Sequence, residues 1–558
     1  MKKLIALFLA VVMLFTMAMT GCSSSSEEPA ETAAPAVQEQ GGAALPAEPV
    51  KLTAWIKDNT RIEDFNTNDM TLWLEEHGNF DLELSAIPSA DFNTKINMAL
   101  TAGAVEDLPD VILGNDFSSA SIQEWADAGT ILPLTQYYQD EALSANIREA
   151  IARTGVDYTQ QLVMPDGEIY TVAQLNQSYG NEYPAKMWFY KPWLEALGAE
   201  APTTTEELYN LLKQVSETDL NGNGKHDEIG LLGASESDSY YYWFPFLMNS
   251  FVYAGDKNYL AVNDGVVSAA YTTEQWKTGL EYVKKMFDEG IILEETLTMA
   301  DEQFTALLNS ADHCVFAFCY NGANLFENGE TAEKYVCVSP VAGPENVQYA
   351  VFKASATKHN FLVTANCKNP EAAFKLGDLM SGEVMSISTR WGTQGKDWDY
   401  AKDVANSDQL APSIAGFDVS IVAYDDKNFW GGDAVANSSW RQVGPFVRHY
   451  GIANGVAIDP SSVSDYTLGF NAAQVMYQNG GWKPDEVLST LIYTADESDV
   501  IAEIESNLKT YVDEYVAAVM VGNKNLDADW DAYVAELENI GLEEYLEVIQ
   551  AVYDRMYK

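Results

Sequence analysis

The run Asp219-Leu220-Asn221-Gly222-Asn223-Gly224-Lys225-His226-Asp227-Glu228 is the stretch of this chain whose residue types and spacing most clearly suit chemistry. Oxygen side chains at alternate positions, with glycine where the backbone must turn, are what a hard cation needs to gather six or more oxygens. An EF-hand loop ends in a bidentate glutamate at its twelfth position, and that place is Gly230 here. The run is therefore either a cation loop of another pattern or an Asx-rich turn that binds nothing.

Aromatic clusters are the second signal. Tyr240 to Phe244 follows a polar stretch, Arg390-Trp391-Gly392 and Phe429-Trp430-Gly431-Gly432 sit among glycines, and Trp440-Arg441 lies close behind. Aromatic planes stack on the C–H faces of sugar rings, while Asp, Asn, Gln or Arg serve the hydroxyl rims. Any one of these rings also suits a core. Turn residues single out Trp243, Trp391 and Trp430 as platforms, because loops carry binding sites, and Tyr242 is a further candidate ligand residue. Arg390 and Arg441 are scarce cations that suit either a ligand's carboxylate or hydroxyl pair or a structural ion pair. No HExxH, GxSxG or GxxxxGK[ST] occurs, and the histidines at 77, 226, 313, 359 and 449 are scattered. The chain is not expected to be an enzyme.

The elements that must position these residues alternate between short apolar runs and helical patterns, as in α/β architecture. Strands are expected at 50–56, 81–87, 108–113, 168–172 and 187–190. Helices are expected around 71–77, 91–101, from Thr204 (a capping box with Glu207), after Asn369-Pro370, and through most of 500–558. Trp55 and Asp116 fall near strand ends, where open α/β sheets hold ligands.

Acids outnumber bases by 83 to 32, a formal charge of -51 that repels phosphate backbones, so nucleic acid is not a partner. Lys2 and Lys3, the apolar stretch Leu4 to Met19 and Thr20-Gly21-Cys22 read as a leader ending before Cys22. Residues 22–50 are rich in Ser, Pro, Ala and Glu and read as a disordered tether. Cysteines 314, 319, 337 and 367 lack zinc spacing and read as buried apolar residues, with Cys314–Cys337 as one conceivable disulfide. No later segment suits a membrane span.

The stretches LPDVILGND (108–116), WADAGTILPLTQYY (125–138), PDGEIYTV (165–172), MWFYKPWLEALGAEAPTTTEELYNLLKQV (187–215), WKTGLEYVKKMFDEGII (276–292) and YLEVIQAVYDRMYK (545–558) together resemble the extracellular solute-binding proteins of ABC sugar importers. The similarity is to the large lipoprotein branch that includes alginate-oligosaccharide binders. The leader likewise resembles a bacterial lipoprotein signal, which implies acylation of Cys22 and anchoring to the outer face of the cell membrane.

The resemblance implies a periplasmic-binding-protein-like type II fold: two α/β lobes joined by crossing strands, with a ligand cleft between them. The expected layout is 51–172 in lobe 1, 173–349 in lobe 2, 350–385 in lobe 1 and 386–558 in lobe 2, with crossings near 172–181, 348–358 and 386–390. It further implies a structural calcium held by Asp219, Asn221, Asn223, the Lys225 carbonyl, Asp227 and Glu228. A monomer is expected, which captures an oligosaccharide or glycan fragment and delivers it to ABC permease subunits. A secreted glycoside hydrolase, a surface adhesin and a peptide-binding receptor are the alternatives.

Overall fold

The computed structural model describes residues 48–558 apart from 238–240, 256–257, 324, 327–328, 425–434 and 459–463. Cys22, the leader, most of the tether and Trp430 lie outside the described residues.

Two sheets organise the chain. The first has the order 446–448, 171–176, 358–363, 111–113, 50–57 and 80–87. Strand Val50–Lys57 pairs in parallel with Phe80–Ile87 and Val111–Leu113, and Lys358–Val363 runs antiparallel to both Val111–Leu113 and Thr171–Asn176. Side chains alternate across this sheet, so Leu52, Ala54 and Ile56 enter one core with Leu74, Ile147 and Phe374. Ile112, Leu362 and the half-buried Trp55 enter the core on the other face, with Phe92, Ile96 and Trp125. The second sheet has the order 335–338, 186–190, 315–320 and 229–232. Its Met187, Phe189 and Phe316 join the core built on helices Thr205–Ser216, Glu274–Asp288 and Ala495–Met520, and its Trp188 and Phe318 join a smaller one. The capping box read from Thr204 and Glu207 is formed in both directions.

The chain passes between the sheets at 177–185, at 339–357 and after Arg448. This corrects the expected third crossing near 386–390 and the expected placing of 386–558 in lobe 2. Helix Glu383–Trp391 stays with the first sheet, Trp440 is buried in that sheet's core, and Phe446–Arg448 is its edge strand, parallel to Thr171–Asn176. Only with helix Asp465–Asn479 does the chain reach lobe 2, where the Tyr477 hydroxyl donates to the Val338 carbonyl at 3.0 Å. Helical periodicity at 383–391 marks an apolar stripe but not which sheet the stripe meets. Ile492 and Met556 from the C-terminal part join the outer core of lobe 1, so the lobes also touch away from the crossings.

The four later cysteines are free thiols, and the conceivable Cys314–Cys337 disulfide is absent. Among the described residues no helix is long and apolar enough to cross a membrane.

Candidate ligand cleft and cation loop

The pairing directions fix which strand ends face the crossings. In lobe 1 these are the carboxyl ends of 50–57, 111–113, 171–176 and 446–448 and the amino end of 358–363, which brings Lys57, Asn115, Asp116, Asn176, His359, Asn360 and Arg448 to one rim. In lobe 2 they are Lys186, the carboxyl end of 315–320 with Asn321, and the segment after Leu232. Ligand sites in open α/β sheets lie beyond such ends.

The lobe 1 rim carries several hydrogen-bonded polar groups. Lys57 Nζ donates to Asn115 Oδ1 at 3.0 Å, and Asn115 donates to Asn93 Oδ1 at 2.7 Å. Asp116, expected here from sequence, accepts the His359 amide at 3.1 Å. Desolvation raises its carboxyl pKa, against the opposing pull of the Lys358 charge and of that amide. His359 shares a 2.8 Å hydrogen bond with Thr171 Oγ1, and burial pushes its imidazole down to about 4. Asn360 donates to Gln174 Oε1 at 3.0 Å, while its own buried Oδ1 has no hydrogen-bond partner among the described residues.

Arg448, only 2% exposed, donates from Nε to Asn176 Oδ1 at 3.0 Å and makes a short bond to Gln442 Oε1. Its guanidinium carbon lies 5.2 Å from the Trp391 ring centroid, and that of Arg390 lies 4.7 Å from the same ring. Arg441 sits with a φ of 48° beside Arg61, and burial followed by that like charge lowers its pKa. The residues that sequence reasoning missed here are Arg448, Asn176, Gln174 and Asn360. Their only signal was a polar side chain at the end of an apolar strand.

Two expected platforms are corrected. Trp243 is 1% exposed inside the lobe 2 core, where its Nε1 donates to the Ala234 carbonyl and its ring meets Tyr241, Phe244 and Phe287. Trp243 begins the helix Trp243–Met248, every residue of which is buried, so the aromatic run is core and not loop. Trp391 is 6% exposed, between the helix that ends on it and Trp398, Ile421 and Ile452. Tyr242 is half-buried against the lobe 2 core. Trp55 lines an open concavity of about 450 Å³ with Asp91, Thr94, Lys95, Met98 and Ala99, and Lys95 Nζ stands 4.5 Å from its ring centroid. That concavity lies against helix Ser89–Thr101.

On the lobe 2 rim, Lys186 is fully buried and donates to the Tyr183 carbonyl at 2.5 Å and Asn321 Oδ1 at 3.0 Å. Burial pushes its ammonium down to about 8.

The run 219–228 folds onto itself. Asp219 Oδ1 and Oδ2 accept the amides of Asn223 and Gly224, Asn221 Oδ1 accepts that of Asn223, and Asn223 Oδ1 accepts that of Lys225. Gly222 and Gly224 have φ of 74° and 79°, the left-handed turns that glycine permits. Asn221 and Asn223 both donate to Asp227, which lowers its carboxyl pKa. Glu228 is 5% exposed: Oε1 accepts two backbone amides, while Oε2 is buried without a hydrogen-bond partner among the described residues. An orphaned buried carboxylate oxygen in a loop rich in oxygen side chains fits a hard cation. Among the described residues no group of three or more His, Cys, Asp or Glu is placed to hold a metal, so the two asparagines and a carbonyl would have to complete the set.

Known proteins share this architecture. The chain is 25% identical over 480 residues to FusA, the fructooligosaccharide ABC transporter substrate-binding protein of Streptococcus pneumoniae, covering 84% of this chain and 83% of that one. A structure of a FusA EF-hand mutant in complex with fructo-nystose superposes with a TM-score of 0.68 at 22% identity, over 90% of this chain and 99% of that one. A human-milk-oligosaccharide (HMO)-binding solute-binding protein of Bifidobacterium longum infantis superposes with a TM-score of 0.74 at 19% identity, over 92% and 99%. Alginate-binding protein AlgQ2, solved without calcium ion, does so at 0.61 and 17% identity, over 92% and 100%. The model for bacterial extracellular solute-binding proteins matches residues 58–387, more than half of the chain, and its span takes in the first two crossings and the loop. Two lobes, a polar rim facing the crossings and that match agree: the chain belongs to the bacterial extracellular solute-binding proteins.

Proposed function

We propose that the protein is the binding component of an ABC importer, capturing an oligosaccharide or glycan fragment outside the cell. The observation that carries this reading is the similarity to the fructooligosaccharide-binding FusA, which spans more than four-fifths of both chains. The lobe 1 rim supplies fixed donors and acceptors of the kind that sugar hydroxyls require. Ligand stabilises a closed arrangement of the lobes, and the permeases read that form; no bond is made or broken. Asp116 and the Arg448–Asn176–Gln442 network are the rim groups assigned to ligand hydroxyls, with Trp55, Tyr242, Arg390 and Arg441 as flanking contacts.

A calcium ion in the 219–228 loop, held by Asp219, Asn221, Asn223, the Lys225 carbonyl, Asp227 and Glu228, would supply structural charge neutralisation. Acylated Cys22 would keep the receptor at the membrane face. The orphaned Glu228 Oε2 supports the first of these, and the leader pattern supports the second.

A thermal-shift panel of kestose, nystose, xylo-oligosaccharides, alginate and pectin fragments and tripeptides tests the reading, joined to scattering on each hit. An oligosaccharide should raise the melting temperature by several degrees, compact the protein and be recovered uncut. Cleaved sugar would point to a hydrolase, larger shifts with peptides to a peptide receptor, and no shift with any probe would sink the proposal.

A further inference from the structure

The three segments that join the lobes converge on one buried carboxylate. Glu182 ends the short helix Tyr179–Glu182 in the first crossing and is 5% exposed. Its Oε1 accepts a hydrogen bond from Ser355 Oγ of the second crossing at 3.0 Å and a short one from the hydroxyl of Tyr450, which opens the third. Its backbone carbonyl accepts the Lys353 amide at 2.8 Å. Rings pack around the same point, Tyr179 tilted against Tyr450 with centroids 5.3 Å apart and Tyr183 edge-to-face with Phe352 at 5.1 Å.

Among the described residues Glu182 has no ion-pair partner, and Lys483 acts on it only at longer range. Burial raises its carboxyl pKa more strongly than the two hydroxyls and Lys483 lower it. A buried carboxylate without a counter-ion costs desolvation energy that an apolar side chain would avoid. Filling the space therefore does not account for it. Its two side-chain donors are hydroxyls, whose protons rotate to follow a moving acceptor. Both belong to segments other than its own.

We propose that Glu182 is the pivot of the receptor, a positioning residue whose single oxygen pins all three crossings so that the lobes swing about one axis as ligand closes them. The inference rests on the closing mechanism proposed above.

Hydrogen exchange of the full chain without ligand tests the pivot by itself. In Glu182→Ala the amides of 177–185, 349–357 and 449–455 should exchange on the order of tenfold faster together, the loss of roughly one hydrogen bond's worth of protection. Strands 50–57 and 315–320 should keep wild-type protection. Glu182→Gln, which keeps an acceptor oxygen, should restore most of it. Faster exchange confined to 177–185, no change, or a Gln variant as loose as the Ala variant would overturn the proposal. If Glu182→Ala does not fold, Tyr450→Phe removes one donor and should loosen 177–185 and 449–455 but spare 349–357; protection unchanged in all three would overturn it equally. Scattering with kestose then separates the two ideas. A wild type that binds without compacting defeats the closing mechanism, whereas compaction undiminished in a loosened Glu182→Ala defeats the pivot.

Discussion

The 219–228 loop and the corner of lobe 1 where Arg390 and Arg448 flank Trp391 carry similar signals in the sequence, unusual residues near glycines, yet they are built in opposite ways. In the loop every side-chain hydrogen bond spans eight residues or fewer, so the motif holds its own geometry. In the corner Arg448 bonds Gln442 six residues away, but it also meets Asn176 across 272 residues and lies against Trp391, so local contacts alone do not define it. A site whose donors are neighbours in the chain can be read from spacing. One assembled from strand ends is decided by sheet order.

The largest effect expected from this contrast concerns the aromatic residues. If Trp243 is core, Trp243→Ala should cost about 4 kcal/mol of unfolding free energy in urea, the range for emptying a buried tryptophan site. A loss under about 1 kcal/mol with weakened sugar binding would return the ring to the ligand.

The loop should answer to cations and the rim should not. Calcium at a hundredfold over its dissociation constant should add roughly 3 kcal/mol to stability. Calorimetry in calcium and in chelator would record this as a lower melting temperature on chelation. In Asp219→Ala the difference should vanish, and equal melting of the wild type in both conditions would refute the cation reading.

The rim should answer to protons instead. Burial holds His359 at about 4, below the usual histidine value, so the unfolded chain takes up a proton as the pH drops below about 6.5 while the folded chain does not until about 4. Stability therefore falls as pH goes from 6.5 towards 4 and levels below that. The His359 contribution between pH 7 and 5 is about 2 kcal/mol. His359→Gln should flatten the denaturation profile by that amount. An unaltered slope would show that the folded imidazole takes up its proton as readily as the unfolded one.

Much of the fold was legible because its signals are local. Strand alternation at 50–57 gives a sheet with two cores, and Thr204 with Glu207 gives a helix start that forms as read. Placing 386–448 failed because an apolar helix face does not state its partner, and the edge strand Phe446–Arg448 is only three residues long. Trp243 and Trp391 were misread for a related reason. Glycines and polar residues nearby suggested a loop, but the rings fill volume that only the assembled core defines. Glu182 gave no signal at all, one acid among eighty-three.

The interleaved order of the first sheet has a consequence for biosynthesis. The segment 171–176 emerges from the ribosome long before 446–448, the strand that covers its outer edge. Until then that edge of lobe 1 presents unpaired backbone groups. Lobe 2's sheet needs only residues 186–338 and can be completed earlier. Nascent lobe 1 is thus the half that must be shielded until nearly the whole chain has been made.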